Sequence, residues 1–558
     1  MIKKLLQNKS IFFIYVIFFV LHILLSYNVN TPIITPDESA YIGNARQILF
    51  GYGFLPHSHY YYPGYSFAIM PAFLISDDIN ITYKLIQLIN AFLMSFVSVL
   101  IYYLIPIFNK NIDEIERLFI VVAVSLYPSF LTYPSIVMSE SLSIPLFLLL
   151  TILINNLVIN KNNKFLWGVI PFLASCLFLT HPIGLGVMAA LIIVMILVLI
   201  KQRNSLNATL FLTSLALSLT AVNIGLGKMQ GLLVSHLDGS VFNLDCYNVI
   251  QTLSYYTKDW SHFLDLYKFA YGHLLYIIFA TLGISVFGII YAFKIMVKKD
   301  SRFYVILFSS LALIFVLIES ILYISTTDVG VEKYFYGRYV DSVIAPIFTL
   351  GLIYFFKKKL DSASILTMLL LPFILVVTLG VNFWMFLEHS HNIFILMAPG
   401  IYFYQQTMAN FGYIAFLFFY FLITIVFYAL GNFNKKIAVV FMSLFFVITS
   451  GCLYFNIMLP HMKYIEKSKP FLEPIKEYIA ISKNSNISYD KNGHFNRFFY
   501  YIQTFLPKIR YYTFDSSKNE KPKSDFVITG DSKFNEHYKD AMLLAEDKHR
   551  KMYIWILP

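Results

Sequence analysis

The chain has 558 residues, of which 58% are hydrophobic and only 13% are charged, and its mean hydropathy is +0.67. Soluble proteins carry about 25% charged residues, so this composition excludes a disordered chain and argues against a purely soluble enzyme. The formal net charge is +11, a sign shared by nucleic-acid-binding proteins. The placement of the positive charges, described below, predicts a membrane topology and no nucleic-acid partner.

Thirteen apolar runs of bilayer length follow one another along the chain. They cover residues 11–29, 85–107, 117–133, 142–160, 165–180, 183–200, 206–227, 272–293, 303–325, 339–356, 363–385, 410–431 and 437–459. The first run follows three lysines and lacks a small-residue cleavage site, so we interpret it as a signal anchor. The pattern predicts an α-helical polytopic membrane protein with about 13 transmembrane helices.

Lysine and arginine residues orient these spans. With the N-terminus in the cytoplasm, the inner segments hold eighteen of them, and the outer loops before residue 460 hold seven. Because positive loops stay on the cytoplasmic side, we adopt this orientation, and an odd number of spans then places the tail outside. We expect a bacterial inner-membrane protein whose basic loops contact anionic lipids.

The first outer loop, residues 30–83, is long for a simple connection and is therefore a candidate functional segment. Pro36, Asp37 and Glu38 form a helix-start signal, and the helical pattern continues to about Phe50. A capping role would explain one carboxylate. It explains a carboxylate pair beside the membrane less well, because uncompensated charge is costly there. Residues 64–75 predict a second, short apolar helix that lies in the membrane interface.

Three further outer segments carry polar residues at the membrane edge. Glu140 begins a span, where a helix dipole alone would also favour an acid. His181 lies between two spans in LTHPIGLG, and Arg338 lies in YGRYVDS, where snorkelling to the headgroups is the alternative explanation. The outer loop 228–271 shows no metal-ligand spacing, and EHSH at 388–391 is a weak metal pattern.

The tail after residue 459 is polar and has no span. Its β-rich segments predict strands at 486–490, 509–514, 524–530 and 552–557, and helices at 494–506 and around 535–547. The strand–helix–strand order predicts a small extracytoplasmic α/β domain with a few parallel strands. We therefore divide the chain into a membrane domain, 1–459, and a C-terminal domain, 460–558.

The outer segments resemble motifs of the GT-C superfamily of membrane glycosyltransferases. The segments that match, in order, are PDESAYIGNARQILFGYGF, YYYPGYSFAIMPAFLI, PSIVMSESLSIPLFLLL, LTHPIGLGVMAALIIV and YGRYVDSVIAPIFTLG. The layout is similar to that of the dolichyl-phosphate-mannose protein mannosyltransferases and the lipid A aminoarabinose transferase. The chain departs from the family at His181, where arginine is frequent, and at 57–59, where a lysine is frequent.

The resemblance implies a GT-C-like fold and transfer of a monosaccharide from a polyprenyl-phosphate carrier to an envelope glycan, lipid or protein on the outer face, with inversion. It implies Asp37 as the general base, with Glu38 and Glu140 orienting it or binding sugar hydroxyls. The donor phosphate is expected to contact Arg338, His181 and Lys84, and the substrate to be lined by His59, Tyr62 and Tyr65. No metal or other cofactor is expected.

Two other functions remain open at this point. A polysaccharide polymerase or ligase would use a lipid-pyrophosphate donor, and the large loop 228–271 is compatible with it. A lipid or solute transporter would predict charged residues near mid-membrane and paired broken helices. The predicted spans are nearly free of charge, with Glu319 as the main exception, and this favours the transferase.

Overall fold

The structure is a computed structural model. It describes residues 9–33, 35–52, 61–160, 162–234, 254, 260–298, 300, 302–325, 335–358, 362–379, 412–467, 469–482, 486–490, 495–518, 520–547 and 552–557. The predicted substrate residue His59, the EHSH stretch at 388–391 and most of the loop 228–271 lie outside the described residues.

Long apolar helices form most of the molecule. Their bounds are Lys9–Ser26, Ile79–Phe108, Glu140–Ile159, Lys164–Thr180, Gly184–Gln202, Ser205–Val234, Phe303–Ser325, Ala345–Lys357, Ser362–Leu379, Gly412–Phe433 and Lys435–Leu453. Within the described ranges, seven helices are long and apolar enough to cross a membrane, or up to nine if each of two bent pairs forms one span. The protein is therefore a multi-pass helical membrane protein, and the count of thirteen spans remains a prediction.

The two bent pairs differ from the continuous spans that hydropathy predicts. Glu114–Ser125 meets Pro128–Ser135 at 65°, and Leu266–Ala280 meets Ile284–Val297 at 104°. The span predicted at 272–293 is therefore bent by 104° at residues 281–283 rather than continuous. Gly283 has φ 77° and its N–H donates to Ile278 O at 2.8 Å, so it ends the first helix in a left-handed cap. Hydropathy does not detect this break because the flanking residues remain apolar.

The first outer loop contains both predicted helices. The loop helix spans Pro36–Phe50; the Thr35 hydroxyl accepts a hydrogen bond from Glu38 N, and Gly51 closes the helix with φ 73°. The interfacial helix spans Gly64–Ile75. A Cβ at Gly64 would lie only 2.6 Å from Leu179 O, so only glycine permits this close approach to the end of the helix Lys164–Thr180.

The tail contains a five-stranded sheet with strand order β2-β1-β3-β5-β4. Its strands are β1 Asn486–Asp490, β2 Arg510–Phe514, β3 Phe526–Thr529, β4 Met542–Asp547 and β5 Met552–Ile556, and its helices are Leu459–Lys467, Glu473–Ser482, Phe495–Phe505 and Phe534–His537. Strand β1 pairs in parallel with β2 and β3, whereas β5 pairs antiparallel with β3 and β4. The four predicted strands and the helix 494–506 are confirmed.

The helix predicted around 535–547 is largely wrong. The helix ends at His537, and β4 follows it as the edge strand of the sheet. Its residues MLLAED are good helix formers, but pairing with β5 satisfies their backbone groups instead. This pairing is tertiary and overrides the local preference.

The tail packs on the loop helix. Arg46 Nη1 donates to Thr504 O at 2.8 Å, and the hydroxyls of Thr504 and Ser39 lie 3.3 Å apart. Along the connecting helix, Met462 belongs to the membrane core and Ile465 to the tail core. The tail and the acidic loop therefore lie on the same side of the molecule. The division at 459/460 stays a prediction.

Candidate active site

A buried arginine joins two carboxylates from distant segments. Arg338 binds Asp37 through Nη1, and its Nε donates to Glu140 Oε1 at 2.5 Å. The exposed fraction is 3% for Arg338 and 1% for Glu140 but 17% for Asp37. Asp37 is therefore the more accessible carboxylate of this cluster. We call these three residues the charged triad.

Each member of the triad is placed at an element end. Asp37 lies in the first turn of the loop helix, Glu140 begins the helix Glu140–Ile159, and Arg338 begins the short helix Arg338–Asp341. Both acids thus lie where backbone N–H groups and the helix dipole favour negative charge. Desolvation would lower the pKa of Arg338, but the two carboxylates outweigh it and raise that pKa above its usual value. The guanidinium therefore stays charged.

Glu38 takes a different position from its neighbour Asp37. Its Oε1 accepts from the Tyr83 hydroxyl at 2.7 Å and from Val137 N at 3.1 Å, and the residue is buried. These bonds join the loop helix to the helix Ile79–Phe108 and to the segment before Glu140. Glu38 thus positions the loop helix that carries Asp37.

His181 and Arg338 both contact the ring of Tyr339, so His181 lies close to the triad. Its ring centroid is 5.2 Å from that of Tyr339, and the Arg338 guanidinium lies over the same tyrosine. Its Nδ1 accepts from Ile183 N at 3.2 Å. Burial, with Arg338 as the second cause, holds the pKa of His181 well below 6.5. The neutral imidazole offers hydrogen bonds to a phosphate but no charge.

Lys84 has a structural contact. Its ammonium donates to Ser26 O at 2.9 Å and to Tyr27 O at 2.6 Å, and so it caps the end of the helix Lys9–Ser26. Its described contacts do not include Arg338. Its role as a phosphate ligand stays a prediction.

The two described residues predicted to line the substrate differ in burial. The Tyr65 hydroxyl donates to Asn90 at 2.9 Å, and the side chain is buried. Tyr62 is half-buried and packs edge-on against Phe178 with ring centroids 5.3 Å apart. Burial, followed by the charge of Glu319, raises the pKa of Tyr62. Tyr62 is the more accessible of the two.

The sequence reasoning missed an aspartate one helical turn beyond Arg338. Asp341 is fully buried and accepts hydrogen bonds from the hydroxyls of Tyr127, Tyr133 and Tyr276 at 2.7–3.1 Å. The spacing of three residues from Arg338 was a usable signal, because i and i+3 lie on one side of a helix. We call Asp341 and these tyrosines the tyrosine cage. It fixes the short helix that presents Arg338.

Three more tyrosines near the triad were also missed. Burial raises the pKa of Tyr41 and Tyr336, although Arg338 opposes this effect. Tyr500 comes from the tail, and burial followed by the charge of Asp37 raises its pKa to about 12. All three phenols therefore stay neutral at physiological pH and offer hydrogen-bond donors. The tail thus contributes a side chain close to Asp37.

The arrangement combines a buried cation, a partly exposed carboxylate and neutral phenols. Such a site can bind an anionic phosphate and hold a base near it. Among the residues that the structure describes, no three His, Cys, Asp or Glu side chains lie together as a metal site. The expectation that no cofactor is needed stays a prediction.

Comparison with known proteins identifies the fold. No protein-family model and no curated protein matches the chain. Two solved structures of ArnT from Cupriavidus metallidurans do match. The one bound to undecaprenyl phosphate has a TM-score of 0.54 and 9% identity, over 98% of this chain and 97% of that chain. The apo structure has a TM-score of 0.51 and 10% identity, over 97% of each chain.

At this identity the likeness concerns the fold. It extends over nearly the full length of both chains, including the tail. The chain therefore has the fold of ArnT, and the resemblance seen in the sequence motifs is confirmed at the level of the fold.

Proposed function

We propose that the protein is a membrane glycosyltransferase that moves a monosaccharide from a polyprenyl-phosphate carrier to an envelope acceptor on the outer face of the membrane. The charged triad carries this proposal. Asp37 and Arg338 are 301 residues apart in sequence, yet they form a partly buried ion pair. Burying ionised groups costs free energy that their pairing offsets only in part, and clusters of this kind concentrate at functional sites.

The donor phosphate is proposed to bind Arg338. A guanidinium holds phosphate through paired, charge-assisted hydrogen bonds. Without donor, Asp37 occupies one side of this guanidinium. An arriving phosphate competes with Asp37, which is the more exposed acid, whereas the buried Glu140 keeps its bond to Nε. Donor binding would thus release Asp37 as a free base.

The reaction then follows as a single displacement. The acceptor hydroxyl oxygen bonds to the anomeric carbon as the bond from that carbon to the phosphate oxygen breaks. Asp37 takes the hydroxyl proton, and the polyprenyl phosphate leaves with the bonding electrons while Arg338 stabilises its growing charge. Attack from the face opposite the phosphate inverts the anomeric carbon.

The remaining site residues have supporting roles in this proposal. Glu140 holds Arg338 in place, and Glu38 holds the loop helix through Tyr83 and Val137. One of the ArnT structures described above is bound to undecaprenyl phosphate, and this supports a polyprenyl-phosphate donor here. The basic inner loops support a cytoplasmic N-terminus and an extracytoplasmic tail.

A transporter remains a second candidate because of two observations. One helix pair is broken at Thr281–Gly283, and Glu319 lies in a long apolar helix, where it accepts from Gly186 N at 3.1 Å. These are features of transporter sites. The charged triad is less easily explained by transport, because its two acids and one arginine lie at helix ends rather than within an apolar span.

The test is sugar transfer by the purified protein from a panel of undecaprenyl-phosphate monosaccharides, with envelope extract as acceptor source. We expect release from one donor, and a loss of about 1,000-fold or more in Asp37→Asn, because base removal typically costs 10²–10⁴-fold. Glu536→Gln, an exposed acid of the tail, is the matched control. Near-normal turnover in Asp37→Asn would remove it from the mechanism. Inactivity with every donor would favour a pyrophosphate-linked polymerase or a transporter.

A further inference from the structure

A cavity of about 360 Å³ lies between the tail and the two helices of the first loop. Its apolar wall includes Phe50, Phe73, Ile479 and Phe505. Its volume falls in the range of small-ligand sites. On the loop helix, Arg46, which lines this cavity, is nine residues beyond Asp37, or about 13 Å along the helix axis. The cavity is thus separate from the charged triad.

The polar part of the lining is cationic. Arg46, Lys476 and Lys508 line the cavity with a single acid, Asp77. Lys476 also pairs at 2.7 Å with Glu473, but both side chains are half exposed, and such pairs exchange partners at little cost. The Lys508 ammonium lies 5.4 Å from the ring centre of Tyr52. The cavity therefore favours an anion at its rim.

Arg46 is the buried cation of this site. Among the described residues, its one hydrogen-bond acceptor is Thr504 O, and its guanidinium also lies 5.5 Å from the Phe73 ring centre. A guanidinium has five N–H donors. Burial lowers the pKa of Arg46 to about 10, with Tyr52 and Asp77 opposing, so it stays charged at neutral pH.

The surroundings indicate a lipid as the source of the anion. Phe50 at the cavity is partly exposed, and Leu74 and Ile75, on the interfacial helix that supplies Phe73, are 68% and 70% exposed. Large apolar side chains with such exposure mark contact with the hydrocarbon boundary. The cavity thus adjoins the exposed apolar side chains of the interfacial helix.

We infer that this cavity binds an anionic phospholipid, with its phosphate among Arg46, Lys476 and Lys508 and acyl carbons against Phe50, Phe73 and Ile479. A bound lipid would fill the space between the tail and the loop helices. It would thereby join the tail to the membrane at a place that takes no part in sugar transfer.

The experiment is native mass spectrometry of the full-length protein. The probes are phosphatidylglycerol and phosphatidylcholine with identical acyl chains. We expect the wild type to retain phosphatidylglycerol preferentially. Lys476→Gln/Lys508→Gln should lower this retention by about tenfold or more, since each basic residue near a lipid surface contributes about 1 kcal/mol. Lys533→Gln/Lys539→Gln removes the same charge from exposed tail positions and should retain the lipid.

A second variant tests the apolar part without changing charge. Ala480 lines the cavity and is exposed, so Ala480→Trp should fill the cavity, lower phosphatidylglycerol retention and leave the thermal midpoint unchanged. Equal retention of the two lipids by the wild type, or wild-type retention in either cavity variant, would overturn the inference. Displacement of the lipid by millimolar inorganic phosphate would also overturn it and would indicate a phosphate site instead.

Discussion

At the scale of single residues, the Arg338 side chain combines a structural function with a proposed catalytic one. It neutralises the buried Glu140, and it is the proposed ligand of the donor phosphate. A single substitution would remove both functions together. The two functions can be separated experimentally. Pairing with Glu140 matters only while Glu140 is charged, whereas the proposed phosphate binding does not depend on that charge.

Arg338→Met should destabilise the protein by about 3 kcal/mol or more, since it leaves buried carboxylates without their partner. Arg338→Met/Glu140→Gln removes the most buried of these charges and should regain much of the stability. Both variants should remain inactive in sugar transfer. Thermal unfolding in one detergent and the transfer assay measure the two effects. Restored activity in the double variant would show that Arg338 acts only through Glu140.

His181 provides a pH-dependent prediction. Because its folded-state pKa is well below 6.5, the unfolded chain binds a proton at acid pH that the folded protein does not. The contribution to stability is therefore complete above about pH 6.5 and decreases by about 1 kcal/mol for each pH unit below it.

We expect the thermal unfolding midpoint of the wild type to decrease as the pH is lowered from about 7.5 to about 5.5. The midpoint of His181→Asn should decrease less over the same range. Asparagine retains an acceptor for Ile183 N but does not titrate. His537→Gln, at an exposed position of the tail, serves as the control. An identical pH dependence in His181→Asn and the wild type would contradict the prediction.

At the scale of secondary-structure elements, two glycines allow one pair of helices to pack closely. The helices Ile284–Val297 and Ala345–Lys357 meet at Gly288 and Gly351. A Cβ at Gly288 would lie 2.0 Å from Ile347 O, and one at Gly351 would lie 2.1 Å from Ile284 O. The backbones approach this closely only because both positions lack a side chain. This contact supports the helix that follows Arg338 and the tyrosine cage.

Gly351→Ala should destabilise the protein by about 2 kcal/mol or more, because backbone must move to admit the methyl group. Gly225→Ala is the matched control, since nothing lies within 4 Å of its Cβ position in a helix. It should be neutral or slightly stabilising through better helix propensity. The measurement is the thermal unfolding midpoint of each variant. Equal midpoints for Gly351→Ala and Gly225→Ala would show that the close approach at Gly351 does not contribute to stability.

At the scale of the whole molecule, the tail covers the loop helix that carries Asp37. Ser39 and Arg46 on that helix contact Thr504, and Tyr500 from the same tail helix lies near Asp37. The loop helix is therefore held between the membrane helices and the tail. Loosening the tail should expose Arg46, which is 4% exposed in the assembled protein.

Thr504→Lys places a charge in this buried contact. We expect trypsin to cleave after Arg46 about tenfold faster than in the wild type, because cleavage follows the population of the open form. Ser532→Lys adds the same charge at an exposed tail position and should leave this cleavage unchanged. Fragment masses distinguish cuts after Arg46 from cuts after the new lysine. Unchanged protection in Thr504→Lys would show that the tail does not cover the loop helix.

The sequence alone determined what depends on local pattern. The apolar runs, the helix start at Pro36–Phe50, the interfacial helix Gly64–Ile75 and four of the five strands follow from periodicity, capping and composition. The motifs around Asp37, Glu140, His181 and Arg338 also pointed to a glycosyltransferase-like fold, and the comparison shows the fold of ArnT.

Tertiary structure decided what depends on contacts between distant residues. The pairing of Arg338 with both Asp37 and Glu140, the turning of Glu38 toward Tyr83 and the capping position of Lys84 each join segments far apart in the chain. The tyrosine cage around Asp341 and the strand β4 arise in the same way. Local propensity carries no information about such partners, because their free energy comes from burial and pairing that exist only in the folded molecule.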